Sequence, residues 1–138
     1  MKDFSYLFTP FLAWLVAGIL KFLINSLRAK RFAFDLIGYG GLPSNHSAIV
    51  SSMATLIALK EGFNSPAFGV AIALAFIVIL DASSLRRQVG KHAEVINKLN
   101  LLKRTALPLL RERMGHTRVE IFFGIILGAV VAYLVTLF

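Results

Sequence analysis

Apolar residues in this chain come in long, nearly uncharged blocks, and that feature alone removes most folds open to a polypeptide of its length. Tyr6 to Ile24, Pro66 to Leu80 and Ile121 to Phe138 are three such blocks; a shorter one, His46 to Leu59, mixes Ser47, Ser51, Ser52 and Thr55 among apolar residues. Roughly 20 apolar residues cross a bilayer core as a helix, whereas a surface helix in water keeps one polar face. Hydrophobic residues make up 57% of the chain and charged residues 16%, against about 25% charged in an average soluble domain. Mean hydropathy is +0.75. The expectation is an all-α, integral membrane helical bundle, one domain over residues 1–138, with about four transmembrane helices.

The first block carries one charge, Lys21, and is followed by Arg28, Lys30 and Arg31 rather than by a small-residue cleavage site, so it reads as a retained helix. The His46–Leu59 block is short for a span, so it either begins below the interface or packs inside the bundle, where small polar residues make helix contacts. Gly124 and Gly128, four apart in the last block, permit close packing between helices and allow a homo-oligomer through transmembrane contacts. Polarity is gathered in two connections, Asn25 to Asn45 (with Gly38, Gly40 and Gly41) and Ala82 to Glu120. Within the second, Val89, Ala93, Ile96, Leu99 and Leu102 recur near helical spacing among Lys and Glu, which predicts an amphipathic helix at the interface, ended before Pro108.

Charge orients the bundle. With Lys21 counted, the two polar connections hold 13 of the 15 Lys and Arg, the other two being Lys2 and Lys60. Four spans put both connections on one side, and the positive-inside rule makes that side cytoplasmic. The net charge of +8 then points to anionic lipid headgroups as partners, and not to nucleic acid. The chain has no cysteine, which excludes disulfides and thiolate metal sites.

Three clusters could carry chemistry. Lys21 and Arg28 lie two helical turns apart on one face, suited either to snorkelling at the interface or to holding an anion. Gly40-Gly41-Leu42-Pro43-Ser44-Asn45-His46-Ser47 is a turn running into a helix, with Ser44 or Asn45 as the cap. A helix start of this kind offers free amides and a positive dipole end to a phosphate. His116 and Glu120 are at i,i+4, so the carboxylate can accept the Nδ1–H of the imidazole and leave Nε2 free as a base or nucleophile. His92 has Glu94 only at i+2, on the wrong face, and reads as a solvated side chain.

Taken in order, Lys21-x6-Arg28, Pro43-Ser44-x-His46 and Gly115-His116-Thr117-x2-Glu120 resemble the three-part signature of the type-2 phosphatidic acid phosphatases, which share a helical fold and phosphate site with vanadium haloperoxidases. The spellings are similar to those of the small divergent bacterial and plant branch. The resemblance implies a lipid phosphate phosphatase of the bacterial inner membrane, on a lipid of the phosphatidic acid, phosphatidylglycerophosphate or polyprenyl phosphate kind; the cation count places its site at the cytoplasmic face, and the lack of a carboxylate cluster for magnesium predicts that it needs no metal or cofactor. It implies His116 as nucleophile, His46 as general acid, Glu120 as the group orienting His116, and Lys21, Arg28, Ser44 and Asn45 as phosphate-binding residues. Ala29, Asn45 and Glu120 stand where that family usually has Pro, Gly and Asp. Arg111 is five residues before His116 where six is usual, so Arg86, Arg87 or Arg113 could take its role. Arg86-x5-His92 has the usual spacing, but Ile96 then replaces the carboxylate. A non-catalytic protein that keeps the phosphate-binding shell is the alternative.

Overall fold

A computed structural model describes residues 4–32, 41–103 and 107–138. Its elements are α1 (Ser5–Ala29), α2 (Asn45–Glu61), α3 (Pro66–Leu80), a π-helical turn (Asp81–Leu85), α4 (Arg86–Leu102) and α5 (Arg118–Val135). No strand is present among the described residues, and the chain is an all-α membrane protein. Gly38 and Gly40 of the expected turn, and Lys2 and Arg104 of the charge count, lie outside the described residues.

Among the described residues three helices are long and apolar enough to cross a bilayer: Ser5–Ala29, Pro66–Leu102 and Arg118–Val135. The expected count of about four is not confirmed by length and composition. The shortfall is α2, whose 17 residues include four hydroxyl side chains. It lies in the centre instead, packed against α1, α3 and α5, with Ser47, Ala48, Ser51, Ser52, Ala54 and Leu56 buried. Its small side chains let the neighbouring backbones approach. A Cβ on Gly124 would collide with Ser44 and Ser47, and one on Gly128 with Ala48 and Ser51. Ser51 Oγ spends its proton on the Ser47 and Ile125 carbonyls at 2.6 and 3.3 Å, so the hydroxyl is satisfied where water is scarce.

Helix directions follow from the same contacts. At one end of the bundle Lys60 Nζ donates to Ser5 Oγ at 2.7 Å, so α2 returns antiparallel to α1. The stepwise fit of Gly124 and Gly128 onto successive turns of α2 makes α5 parallel to it. The starts of α2 and α5 and the far end of α1 thus share the opposite end of the bundle. Pro10 lies in the second turn of α1, which starts at Ser5. The helix stops at Lys30, which takes a left-handed φ of 50° and donates to the Leu27 and Ser26 carbonyls.

The amphipathic segment also differs from expectation. It is not a separate helix: α3, the π turn and α4 form one continuous helix of 37 residues. At 1.5 Å per residue that is about 55 Å, well beyond a core of roughly 30 Å. Of the expected apolar stripe only Ala93 is buried; the covered face is Gly90, Ala93 and Asn97, while Val89, Ile96, Leu99 and Leu102 are exposed. The cover is the chain's own extended return from Leu107 to Gly115. Asn97 clamps it with three hydrogen bonds: Nδ2 to Leu110 O (2.8 Å) and to Glu112 Oε1 (2.9 Å), and Leu110 N–H to Oδ1 (2.8 Å). Gly90 is needed because a Cβ there would strike the Glu112 carbonyl.

Candidate active site

The end of the bundle where α2 and α5 begin is built from their caps. Ser44, fully buried, caps α2: its Oγ accepts from Ser47 N–H at 3.3 Å and from Ser47 Oγ at 3.0 Å. Its own N–H donates to the Glu120 carbonyl at 2.9 Å, which ties the start of α2 to the first turn of α5. Thr117 caps α5 in a capping box, its Oγ1 accepting from Glu120 N–H (3.2 Å) while Glu120 Oε2 accepts from Thr117 N–H (2.9 Å). Two helix N-termini, each with a positive dipole end and unfilled amides, thus converge on one spot. Before Ser44 the chain passes through a cis Leu42–Pro43 bond and Gly41, whose φ of 149° suits glycine and whose buried position faces Asn25 and Lys21 of α1.

His46, in the first turn of α2, and His116, just before the α5 cap, face each other here with ring centroids 6.1 Å apart. His116 is 9% exposed and is held at three points. Its N–H donates to the Ala82 carbonyl at 2.9 Å, its ring Nδ1 lies 3.1 Å from Glu120 Oε2, and Gly115 before it fits under Ala82 and Arg87 with a φ of 84°. The Ala82 carbonyl belongs to the π turn, where bonding from i to i+5 leaves a main-chain acceptor free for an outside donor. With Glu120 Oε2 accepting the Nδ1–H, Nε2 keeps its lone pair. Burial first of all pushes the His116 pKa below its ordinary 6.5, the Lys21 and Arg86 charges push the same way, and only the Glu120 hydrogen bond and charge oppose them. The imidazole is accordingly neutral near pH 7. His46 Nδ1 is buried without a hydrogen-bond partner among the described residues, as is Asn45 Oδ1.

The cations divide into two groups. Lys21 lies close enough for its charge to act on both imidazoles, and so does Arg86, whose Nε donates to Asp81 Oδ2 at 2.7 Å. Arg28 is exposed at the end of α1, past the site, and Arg87 is exposed beside Gly115. Arg111 is exposed on the extended return, its Nε donating to the Arg113 carbonyl at 3.3 Å. The arginine brought to the histidines is therefore Arg86, contributed by the long helix rather than by the segment preceding His116. His92 is exposed on α4.

Sequence reasoning missed Asp81 and Ala82, which became visible only through the π turn. It also passed over Asn97, and over the Thr117-x-x-Glu120 spacing that signals a capping box in any sequence. Beside the polar cluster lies an apolar cavity of about 210 Å³ between α1 and α5, lined by Leu20, Ile24, Leu42, Pro43, Phe123 and Ile126 among others. It reaches the chain at Pro43, next to Ser44.

A family model described as the Divergent PAP2 family matches residues 3–131. The chain belongs to the Divergent PAP2 family. A relative from Bacillus subtilis (strain 168), the uncharacterized membrane protein YuiD, is 33% identical over 141 residues, covering 88% of this chain and 89% of its own length. No solved structure matches. The span matched by the Divergent PAP2 family model takes in Lys21, His46, His116 and Glu120.

Proposed function

We propose that this Divergent PAP2 protein is a membrane lipid phosphatase that removes a phosphate monoester from a lipid headgroup through a phosphohistidine intermediate. The observation that carries this is the pair of facing imidazoles, 6.1 Å between centroids, one of them buried, neutral and oriented by Glu120 through Nδ1. Phosphoryl transfer asks chiefly for positioning and for positive charge around the equatorial oxygens. Lys21, Arg86 and the first-turn amides at Asn45 and His46 supply that charge, with Ser44 fixing the turn. His116 Nε2 attacks phosphorus in line as the ester P–O bond breaks; burial lowers the pKa of His46 as well, so its proton arrives with the phosphate monoester, whose negative charge favours the imidazolium, and His46 delivers that proton to the departing lipid alkoxide. Water then attacks the phosphohistidine, His46 takes the water's proton, the P–N bond breaks and orthophosphate leaves. The apolar cavity at Pro43 supports a lipid substrate, since a hydrocarbon tail beside it would lie among Leu20, Ile24 and Phe123 with its phosphate at Ser44.

On the charge count the site faces the cytoplasm, in a bacterial inner membrane. A second function, lipid binding without turnover, draws support from Arg111, which lies exposed away from the histidines, and from Asn45 and Glu120 at positions where related phosphatases carry Gly and Asp. Phosphate release by the purified chain, measured in mixed micelles of phosphatidic acid, phosphatidylglycerophosphate and polyprenyl phosphate with His116→Ala as the blank, separates the two. Release well above the blank on any of the three supports the phosphatase; release equal to the blank on all three supports lipid binding.

A further inference from the structure

We propose that Asp81 is a positioning residue that aims Arg86 at the phosphoryl group, with the π-helical turn as the device that brings the two side chains together. This rests on the phosphate site proposed above.

Residues five apart on an α-helix point to different faces, because only i,i+3 and i,i+4 pairs are neighbours. Between Asp81 and Leu85 the helix is π-wound, and the Arg86 N–H donates to the Asp81 carbonyl, an i to i+5 bond. That winding stacks residue 86 above residue 81, and their side chains meet at 2.7 Å. The same turn frees the Ala82 carbonyl that holds His116 N–H. One local rewinding of a long helix therefore sets both the backbone of His116 and the direction of Arg86.

The pair is poorly explained as a stabilising salt bridge. Its side chains are 38% and 33% exposed, a setting in which ion pairs add little to stability. Its chemistry suits a different purpose. A guanidinium has five N–H donors, and Asp81 occupies the one on Nε. Both Nη groups, the fork that matches two oxygens of a phosphoryl group, have no partner among the described residues. An arginine held at Nε keeps that fork in one plane and one direction, which a lysine at the same position would not provide. The Arg86 charge acts on both imidazoles and the Asp81 charge on His46, so the pair lies within electrostatic reach of them, on the turn whose Ala82 carbonyl holds the His116 N–H.

The test uses the purified full chain in mixed micelles, with inorganic phosphate as competitive inhibitor. Asp81→Asn keeps the shape and removes the charge; it raises KM and the inhibition constant of phosphate roughly tenfold, with a smaller change in kcat, and Asp81→Glu recovers part of the loss. In an Arg86→Lys background, where no Nε remains to hold, Asp81→Asn causes no further loss. Additive losses in that background, or an unchanged phosphate constant in Asp81→Asn, overturn the proposal. So does a variant that melts earlier yet binds phosphate normally once folded, since Asp81 is then merely structural. If the wild-type chain releases no phosphate from any lipid, binding of inorganic phosphate is followed by phosphorus NMR line broadening. Weaker binding in Asp81→Asn then supports the positioning role while the phosphatase function fails, and equal binding overturns the positioning role.

Discussion

His116 and His46 sit in one pocket but in different surroundings, and the proposed roles follow from the difference. Burial lowers the pKa of both, but His116 is fixed by Ala82, Glu120 and Gly115 with a carboxylate at Nδ1, whereas His46 Nδ1 has no partner among the described residues. His116→Ala should abolish turnover on every substrate. His46→Ala should cost roughly 10²–10⁴-fold on a lipid phosphate, the usual contribution of a general acid, and much less on p-nitrophenyl phosphate, whose leaving oxygen hardly needs a proton. Equal losses on the two substrates would remove the basis for the assignment. The pH profile gives an independent check. Because the His116 pKa is depressed below 6.5, the acid limb of kcat/KM should fall below 6.5. Glu120 raises that pKa, so Glu120→Gln should slow the reaction and move the limb further to the acid side; a shift toward neutral pH would count against the Glu120–His116 pair. The same depression makes folding stability decline as pH drops below 6.5, where the unfolded chain binds a proton that the folded chain does not.

At the scale of the element, the contacts that matter are backbone approaches permitted by glycine. Gly128→Val should force α5 away from Ala48 and Ser51, at a cost of about 1–3 kcal/mol or more by overpacking, read as a lower melting temperature in detergent and a loss of phosphate release together. Asn97→Ala should act differently. It removes three hydrogen bonds that hold the return segment, so activity should fall while helical circular dichroism stays near wild type. The spans α1, α3 and α5 were legible as long apolar blocks, and the central place of α2 was foreshadowed by its serines. The junction at Asp81 was not. Asp81-Ala82-Ser83-Ser84 reads as the polar end of a span, and nothing local marks a π turn that carries the helix on. The two histidines and Glu120 were legible from their spacing. Arg86 was one arginine among several because its arrival depends on that unmarked turn, and Asp81 was invisible for the same reason. The apolar residues of α4 misled as well: Val89, Ile96 and Leu99 keep helical spacing but stay exposed, since the covered face is built from Gly90, Ala93 and Asn97.

For the whole molecule the decisive property is sidedness. Ser44 bonded to Glu120, and His116 bonded to Ala82, require that both polar connections meet at one end, opposite Lys60 and Ser5. The chain's lack of cysteine makes this simple to test. Single cysteines at Lys30 and Leu102, both exposed, should react with an impermeant thiol reagent only in inverted membrane vesicles, and one at Phe63 only in right-side-out vesicles. Labelling of Lys30 and Leu102 from opposite sides would leave the site no way to assemble.

The bond from Ser44 to Glu120 has a consequence for how a lipid could reach the site. It joins the starts of α2 and α5, and below it the glycines of α5 seat against α2 with no room to part. His46 and His116, the proposed acid and nucleophile, therefore ride on a single unit, whereas Lys21 and Arg86 are lent by α1 and by the long helix on either side. On the proposed function, chemistry and admission would then fall to different helices. A lipid entering from the bilayer by the apolar cavity between α1 and α5 would leave the distance between the two imidazoles unchanged.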